Sequence, residues 1–524
     1  MIIFFALLII ISTSLYAFYP SFNLAVFGDF WVTVWRYERM VGEFSLGLWN
    51  HFSYFFTLYG PQDIISGLLF NIYHYDSSPY YFFSYLLRLL ASASFYPLTF
   101  YLTKNKFASF FAILFFSVTS IGLQTTDWVF NMPSYLTIGF FNLFLYFFLI
   151  SRRNYKVRYV IFFTLFFFIT LVISPIRSMS IVPFIIIIEV IWLIYHQTFT
   201  DFKRVVIRLS IVLLIYTLLL TQTTLFTSPD WDIQTVTPAT NFLVNGALDS
   251  FKGGYDLVQR GQVDFILNPI ITIGGMFIPN LSVNNIFLSL IIGSLAIIIW
   301  LALIVLNRKS RLRDLLMISF IWTTVSFLIP WMRKEYLTVI FPMDQRYLIL
   351  SAVGISLLFA GIITLVKNKP FRYFVYLLLS IIVILNIYTT RAYFKNLEDI
   401  RSQQLYNKIW SQLPEFKNIG KTKGPLVFYF TGERGDIIHN VLEFGFPSKL
   451  QLIYDISDFK TVITIDNIKD LISAVKDGKL LAKFGVLPKP LPVENIYSFN
   501  LEGKDKLVNT TDITRSQIIK TLAR

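Results

Sequence analysis

The chain has 524 residues, of which 55% are hydrophobic, 18% aromatic and only 15% charged, with a mean hydropathy of +0.62. This balance excludes a soluble globular protein and leaves an α-helical polytopic membrane protein. The net charge of +14 does not indicate a nucleic-acid partner, because the basic residues fall in short loops between apolar segments, where they set membrane topology.

A helix needs about 20 apolar residues to cross a bilayer core, and eleven segments are predicted as spans. The first, near residues 2 to 19, has no basic leader and no small-residue cleavage site, so it reads as a retained span. In the loop from 20 to 79, Trp31, Val34, Trp35, Glu38 and Val41 recur at helical spacing, as do Ile64, Ile65, Leu68, Leu69 and Ile72 after Pro61. Two amphipathic juxtamembrane helices lying on the membrane surface are expected there. The other spans run near 80 to 103, 107 to 126, 133 to 151, 158 to 174, 179 to 195, 208 to 226, 285 to 306, 314 to 330, 347 to 366 and 372 to 390. Lys104 and Lys106, Arg152 to Arg158, Lys203 to Arg208, Arg308 to Arg313, and Lys367 to Arg372 all fall on one side under this count. That side is cytoplasmic by the positive-inside rule. A multi-pass cell-membrane protein follows, with a cytoplasmic N-terminus. The loops 20 to 79 and 227 to 284, the turns around Asp127 and 331 to 346, and everything after about 391 lie outside.

Beyond 391 the composition shifts. PLVFYF, KTVITI and NIYSFNL read as strands and DNIKDLISAVKDG as a helix. The expected division is a transmembrane module over 1 to 390 and a small extracytoplasmic α/β domain over 391 to 524.

Cysteine is absent, and His51, His74, His196 and His439 form no HxxxH or HExxH pair, so thiolate chemistry is excluded and a protein-built zinc site is disfavoured. No Walker sequence, GxGxxG or GxSxG occurs. Polar residues gather on the outer side, where nucleotide sugars are not made. An enzyme there would draw on a flipped donor such as a polyprenyl phosphate sugar. Transfer from such a donor needs a base for the acceptor hydroxyl and cations for the departing lipid phosphate. Asp29, in GDFWVTVWRYERM, is the candidate base. It is equally a candidate helix N-cap, and the two roles can coexist. Arg88, Arg177 and Arg346 are candidates for phosphate or ion-pair roles, while Lys334, with Arg333, either binds phosphate or snorkels at the interface. Glu189 reads as a paired residue. Asp63 is either a first-turn helix acid or a partner of Asp29 on a divalent metal. Asp127 is a cap or a substrate contact. Tyr37, His51 and Tyr59 join the candidate substrate residues of the first loop, and Asp230 with Asp232 forms one Asp-x-Asp tripeptide in a loop.

Over roughly residues 1 to 390 the layout resembles the GT-C superfamily of membrane glycosyltransferases, which includes protein O-mannosyltransferases and aminoarabinose transferases. GDFWVTVWRYERMVGE resembles the loop that begins with the acidic base, SPIRSMSIVPF the arginine and proline region opening a middle span, and MDQRYLILSA the Arg-Tyr pair at the start of a late span. WNHFSYFFTLYGPQDIISGLL is similar to the first loop of YfhO-like membrane proteins. The resemblance implies Asp29 as base, a lipid-phosphate-sugar donor and an acceptor glycan, lipid or protein. Phe30 stands where the family often has a second acid, which favours a single base over a metal-assisted pair. The rival classes are a transporter or flippase of lipid-linked intermediates and a non-catalytic scaffold. No internal repeat or matched pair of broken spans supports the transporter.

Overall fold

The structure is a computed structural model that describes residues 2–42, 55–57, 59–196, 199–222, 224–226, 236–279, 285–307, 310–416, 424–456, 462–480, 485–486 and 489–523. His51 and the Asp230–Asp232 tripeptide lie outside the described residues.

Among the described residues, six helical stretches are long and apolar enough to cross a membrane: Phe4–Asn23, Val129–Arg153, Ile286–Leu306, Arg311–Trp331, Arg346–Leu365 and Lys369–Arg401. Four shorter apolar helices accompany them. The expected span over 80 to 103 is divided into α4 (Ser78–Ala93) and α5 (Phe95–Thr103), which follow α1 (Ile2–Phe18), α2 (Asp29–Gly42) and α3 (Gly60–Tyr73). Pro97 explains the break, since it has no N–H for the carbonyl of Ala93 and its ring crowds that oxygen. The segment expected over 107 to 126 is helical as α6 (Lys106–Val118) and then only in the short turn Gln124–Asp127. From there the bundle runs through α7 (Pro133–Arg153), α8 (Val157–Ile173), α9 (Ile181–His196) and α10 (Phe199–Gln222). It continues with α11 (Ala239–Gln259), α12 (Asn268–Phe277), α13 (Ile286–Leu306), α14 (Ser310–Trp331), α15 (Ile349–Leu365) and α16 (Lys369–Arg401). Aromatic packing joins its middle: Trp322 of α14 stacks on Phe141 of α7 at 3.9 Å and meets Phe184 of α9 edge-on at 5.1 Å.

Helix α16 passes residue 391 without a break and ends at Arg401. The C-terminal part then adds α17 (Gln403–Trp410), β1 (Leu426–Gly432), α18 (Phe446–Ile453), β2 (Val462–Ile465), α19 (Ile468–Asp477), β3 (Ile496–Glu502), β4 (Lys506–Asn509) and α20 (Thr511–Leu522). The strand order is β2-β1-β3-β4, parallel except for the antiparallel edge β4. All three expected strand segments and the expected helix are present. Alternation along β1 divides the core: Leu426, Phe428 and Phe430 pack with Phe446 and Leu450 of α18, whereas Val427 packs with Leu471 of α19 and Ile518 of α20. Helices therefore cover both faces of the sheet.

The two helices expected in the first loop are α2 and α3. Helix α2 is not an exposed surface helix, however: Phe30, Trp31, Val34 and Trp35 are all buried. The C-terminal domain covers its aromatic face, with Trp35 Nε1 donating to the carbonyl of Ile456 at 3.1 Å.

Candidate functional site

Helix α2 begins where Gly28 turns the chain through a left-handed conformation (φ +61°). No side chain is tolerated there, because a Cβ would meet the Phe444 ring at 2.2 Å. Gly445 faces it, at φ +84°, and a Cβ on that residue would meet the Gly28 carbonyl oxygen at 2.5 Å. The Gly28 amide donates to the Phe444 carbonyl at 3.3 Å. Seven residues make nearly two helical turns, so Asp29 and Arg36 share one face of α2 while Trp31 and Trp35 occupy the other.

Asp29 is the first residue of α2 and partly buried. Among the described residues no donor hydrogen-bonds its carboxylate, so it makes no capping bond, although it still lies at the positive end of the helix dipole. Burial pushes its carboxyl above the usual range, opposed by the charges of Arg346 and Arg36. Arg36 is committed to Asp63, donating from Nε at 3.0 Å and Nη2 at 2.7 Å, and its guanidinium lies 5.0 Å from the centre of the Tyr59 ring. Both Asp63 oxygens accept from Arg36, and Asp63 stands in the first turn of α3. Among the described residues no group of three or more His, Asp or Glu side chains could hold a metal ion. Tyr59 lies in the same electrostatic neighbourhood, with Arg36, Tyr347, Arg333 and Asp29 around it. Burial raises its phenol above the ordinary value.

Arg346 stands at the start of α15, its guanidinium 4.1 Å above Trp128 and 5.3 Å from the Tyr347 ring centre. Arg177, in the short helical turn Pro175–Ser178, donates from Nη1 to the Arg346 carbonyl at 3.1 Å and from Nη2 to Asn131 Oδ1 at 2.8 Å. Burial lowers Arg177 to about 10, with the neighbouring Arg346 charge acting in the same direction. It remains a cation at neutral pH. Among the described residues no carboxylate forms an ion pair with either arginine. Two neighbouring arginines, neither in an ion pair among the described residues, beside a partly buried carboxylate form an arrangement suited to an anion next to a base.

The remaining candidates are elsewhere or otherwise engaged. Arg88 is fully buried and donates to the carbonyls of Phe116, Ser117 and Thr119 and to the Tyr135 hydroxyl. It thus satisfies the open carbonyls at the end of α6, instead of presenting a phosphate site. Asp127 is buried in an ion pair with Arg401 and accepts from Tyr393 Oη at 3.3 Å. Tyr37 lays its ring on Gly67 and so packs α2 against α3. Lys334 is exposed, with its stem beside Gly253 of α11, and Arg333 pairs with Glu335 at 3.2 Å. Glu189 accepts two bonds from Arg208, at 2.7 and 2.9 Å. Sequence reasoning did not assign Arg36, Trp128, Asn131 or Tyr347 to the site. The seven-residue spacing from Asp29 was a usable signal for Arg36, but no local pattern marks Asn131.

No family model matches the chain, and no curated protein matches it. Among solved structures, it is similar to the oligosaccharyltransferase of Archaeoglobus fulgidus in its apo form, with 14% identity, a TM-score of 0.47, and 87% of this chain and 64% of that one covered. Two further structures from that organism have TM-scores of 0.47 and cover 95% of this chain and 69% of theirs. One is the archaeal enzyme in complex with an inhibitory peptide and a dolichol-phosphate, at 12% identity. The other is tethered through a disulfide bond to an acceptor peptide containing the NVT sequon, at 13% identity. The chain spans 64% of the length of the first of these structures.

Proposed function

We propose that this chain is an integral-membrane glycosyltransferase of the GT-C kind. In this reading it moves a sugar from a polyprenyl-phosphate donor to an acceptor on the extracytoplasmic face, with Asp29 as the single base. The observation that carries the reading is that Arg177 donates to the Arg346 carbonyl, that among the described residues neither arginine is in an ion pair, and that the Arg346 charge acts on the Asp29 carboxyl. The acceptor oxygen attacks the anomeric carbon as its proton passes to Asp29. The bond from that carbon to the phosphate oxygen breaks, and its electron pair remains on the lipid phosphate. Arg177 and Arg346 stabilise the charge that develops there. Arg36, anchored on Asp63, supports Asp29 in its ionised form.

The test uses the purified full chain in liposomes with a defined polyprenyl-phosphate sugar. Asp29→Asn should lower kcat by about 10²- to 10⁴-fold while donor binding and the thermal midpoint stay unchanged. Transfer at the wild-type rate by this variant removes Asp29 as the base. Movement of the lipid-linked sugar across the bilayer without turnover favours a flippase and removes the transferase reading.

A further inference from the structure

Helix α11 rests on the rest of the protein along one narrow face. Ser250 is buried there, Leu257 packs on the core, and a Cβ on Gly253 would come within 3.3 Å of Leu337 and 3.4 Å of the Lys334 stem. At about 100° per residue, Leu248, Phe251, Tyr255 and Val258 fall on the side opposite Gly253, within an arc of about 80°. These four are 49% to 66% exposed. Asp249, Lys252 and Asp256 share one flank between the two faces, and Arg260 follows the helix. Two acids and two bases leave this part of the chain without net charge.

The neighbours of α11 set the level of its exposed face. Gly253 sits on the turn that links the span Arg311–Trp331 to Arg346. After the helix the chain returns to the end of that span, where the Phe265 ring stacks on Trp331 with centres 6.0 Å apart. Val263, Ile266 and Leu267 beside it are exposed, so the apolar row continues at the end of a membrane helix, the depth at which aromatic rings mark the bilayer boundary. It then leads into α12 and α13, whose backbones touch: a Cβ on Gly274 would strike the Ser289 carbonyl and one on Gly293 the Ile270 carbonyl. Helix α13 is a span that exposes Ile286, Phe287, Leu295 and Ile298, a surface that acyl chains cover.

An amphipathic helix that exposes an apolar face at this level lies in the plane of the interface. Its four side chains provide less than the ~800 Å² per partner of a stable protein interface, whereas a bilayer demands no shape match. We propose that α11 lies on the bilayer with this face among the acyl chains of the leaflet at the Arg346 end of the bundle. Because its flank carries no net charge, the apolar face holds it there without preference for anionic lipid. The proposal is independent of the reading of Asp29.

The chain has no cysteine, so a nitroxide can be attached to a single cysteine introduced on α11, and the five positions Leu248, Phe251, Lys252, Tyr255 and Val258 are exposed enough to accept it without disturbing the fold. In the full chain reconstituted in phosphatidylcholine liposomes, collisions of the label with dissolved oxygen, which concentrates in the bilayer, are compared with collisions with a water-soluble nickel chelate. The oxygen-to-nickel ratio should be at least about tenfold higher in Leu248→Cys, Phe251→Cys, Tyr255→Cys and Val258→Cys than in Lys252→Cys. The same contrast should hold in phosphatidylglycerol liposomes. High nickel collisions at all five positions would place the helix in water and overturn the proposal. Low collisions with both reagents at the four apolar positions would place a second copy of the chain on the face and overturn it equally. A contrast confined to phosphatidylglycerol liposomes would assign the attachment to charge and overturn it as well.

Discussion

The base role proposed for Asp29 requires an ionised carboxyl, and its surroundings act on that state in opposite directions. Burial raises the carboxyl above the ordinary value for an aspartate, about 3.9, and the charge of Arg346, followed by that of Arg36, pulls it back. Activity should therefore rise with pH through the raised value and be lost below it. Arg346→Gln removes the stronger opposing charge, so the acid limb of the kcat/KM profile should move to higher pH, apart from any loss of rate through weaker phosphate binding. A limb that stays in place, measured against the same lipid-linked donor, would assign it to another group. Arginine, by contrast, shows how little residue type decides. Arg88 and Arg177 are both buried near ends of apolar segments, and the sequence offers both for phosphate. Arg88 meets three backbone carbonyls and a tyrosine hydroxyl, whereas Arg177 meets one carbonyl and one amide oxygen beside a second arginine. The difference lies in long-range neighbours that no local spacing encodes.

Helix α2 has two distinct faces, one with Asp29 and Arg36 and one aromatic. The spacing of Trp31, Val34 and Trp35 made an amphipathic helix legible, and the strands of the C-terminal domain were equally readable from apolar runs bounded by turn residues. What covers the aromatic face was not legible, because the cover comes from residues more than 400 positions away. Lys449 of α18 is part of it: its ammonium lies 4.0 Å from the centre of the Trp410 ring, 4.2 Å from that of Tyr406 and 5.0 Å from that of Trp31. Burial holds this amine well below the usual lysine range. Together with the Gly28 and Gly445 contact, this packing fixes the start of α2 and hence the position of Asp29. Gly445→Val should disturb that start in two ways. A β-branched residue is strained at φ +84°, and its Cβ would meet the Gly28 carbonyl. The expected outcome is a kcat at least about tenfold lower, as a 1 Å misplacement at a site can cost even more, with the C-terminal domain still resistant to limited proteolysis. Unchanged kcat in a folded variant would mean that the domain does not position Asp29.

At the scale of the whole molecule, the continuity of α16 matters more than the composition shift at 391. The helix delivers Arg401 to Asp127, and the same guanidinium donates to the carbonyl of Ala25 at 2.9 Å and to Tyr81 Oη at 3.1 Å. One buried arginine thus joins the last membrane helix, the approach to α2, helix α4 and the turn before α7. Its guanidinium carbon also lies 3.7 Å from the centre of the Phe27 ring, and Phe27 packs on both Trp128 and Phe444. Removing one partner of a buried ion pair leaves the other charge unneutralised and costs about 3 to 5 kcal/mol, whereas removing both charges together costs less. Asp127→Asn and Arg401→Met should each lower unfolding stability by about that amount, and the double variant should be more stable than the sum of the two losses predicts. A double-mutant cycle on the chain in detergent, followed by denaturant unfolding, measures this coupling. Strict additivity would show that Arg401 acts through its backbone contacts with the first loop, not through Asp127. Strong coupling with wild-type donor binding in the folded fraction would support Asp127 as the clasp between the two parts and remove it from the substrate contacts.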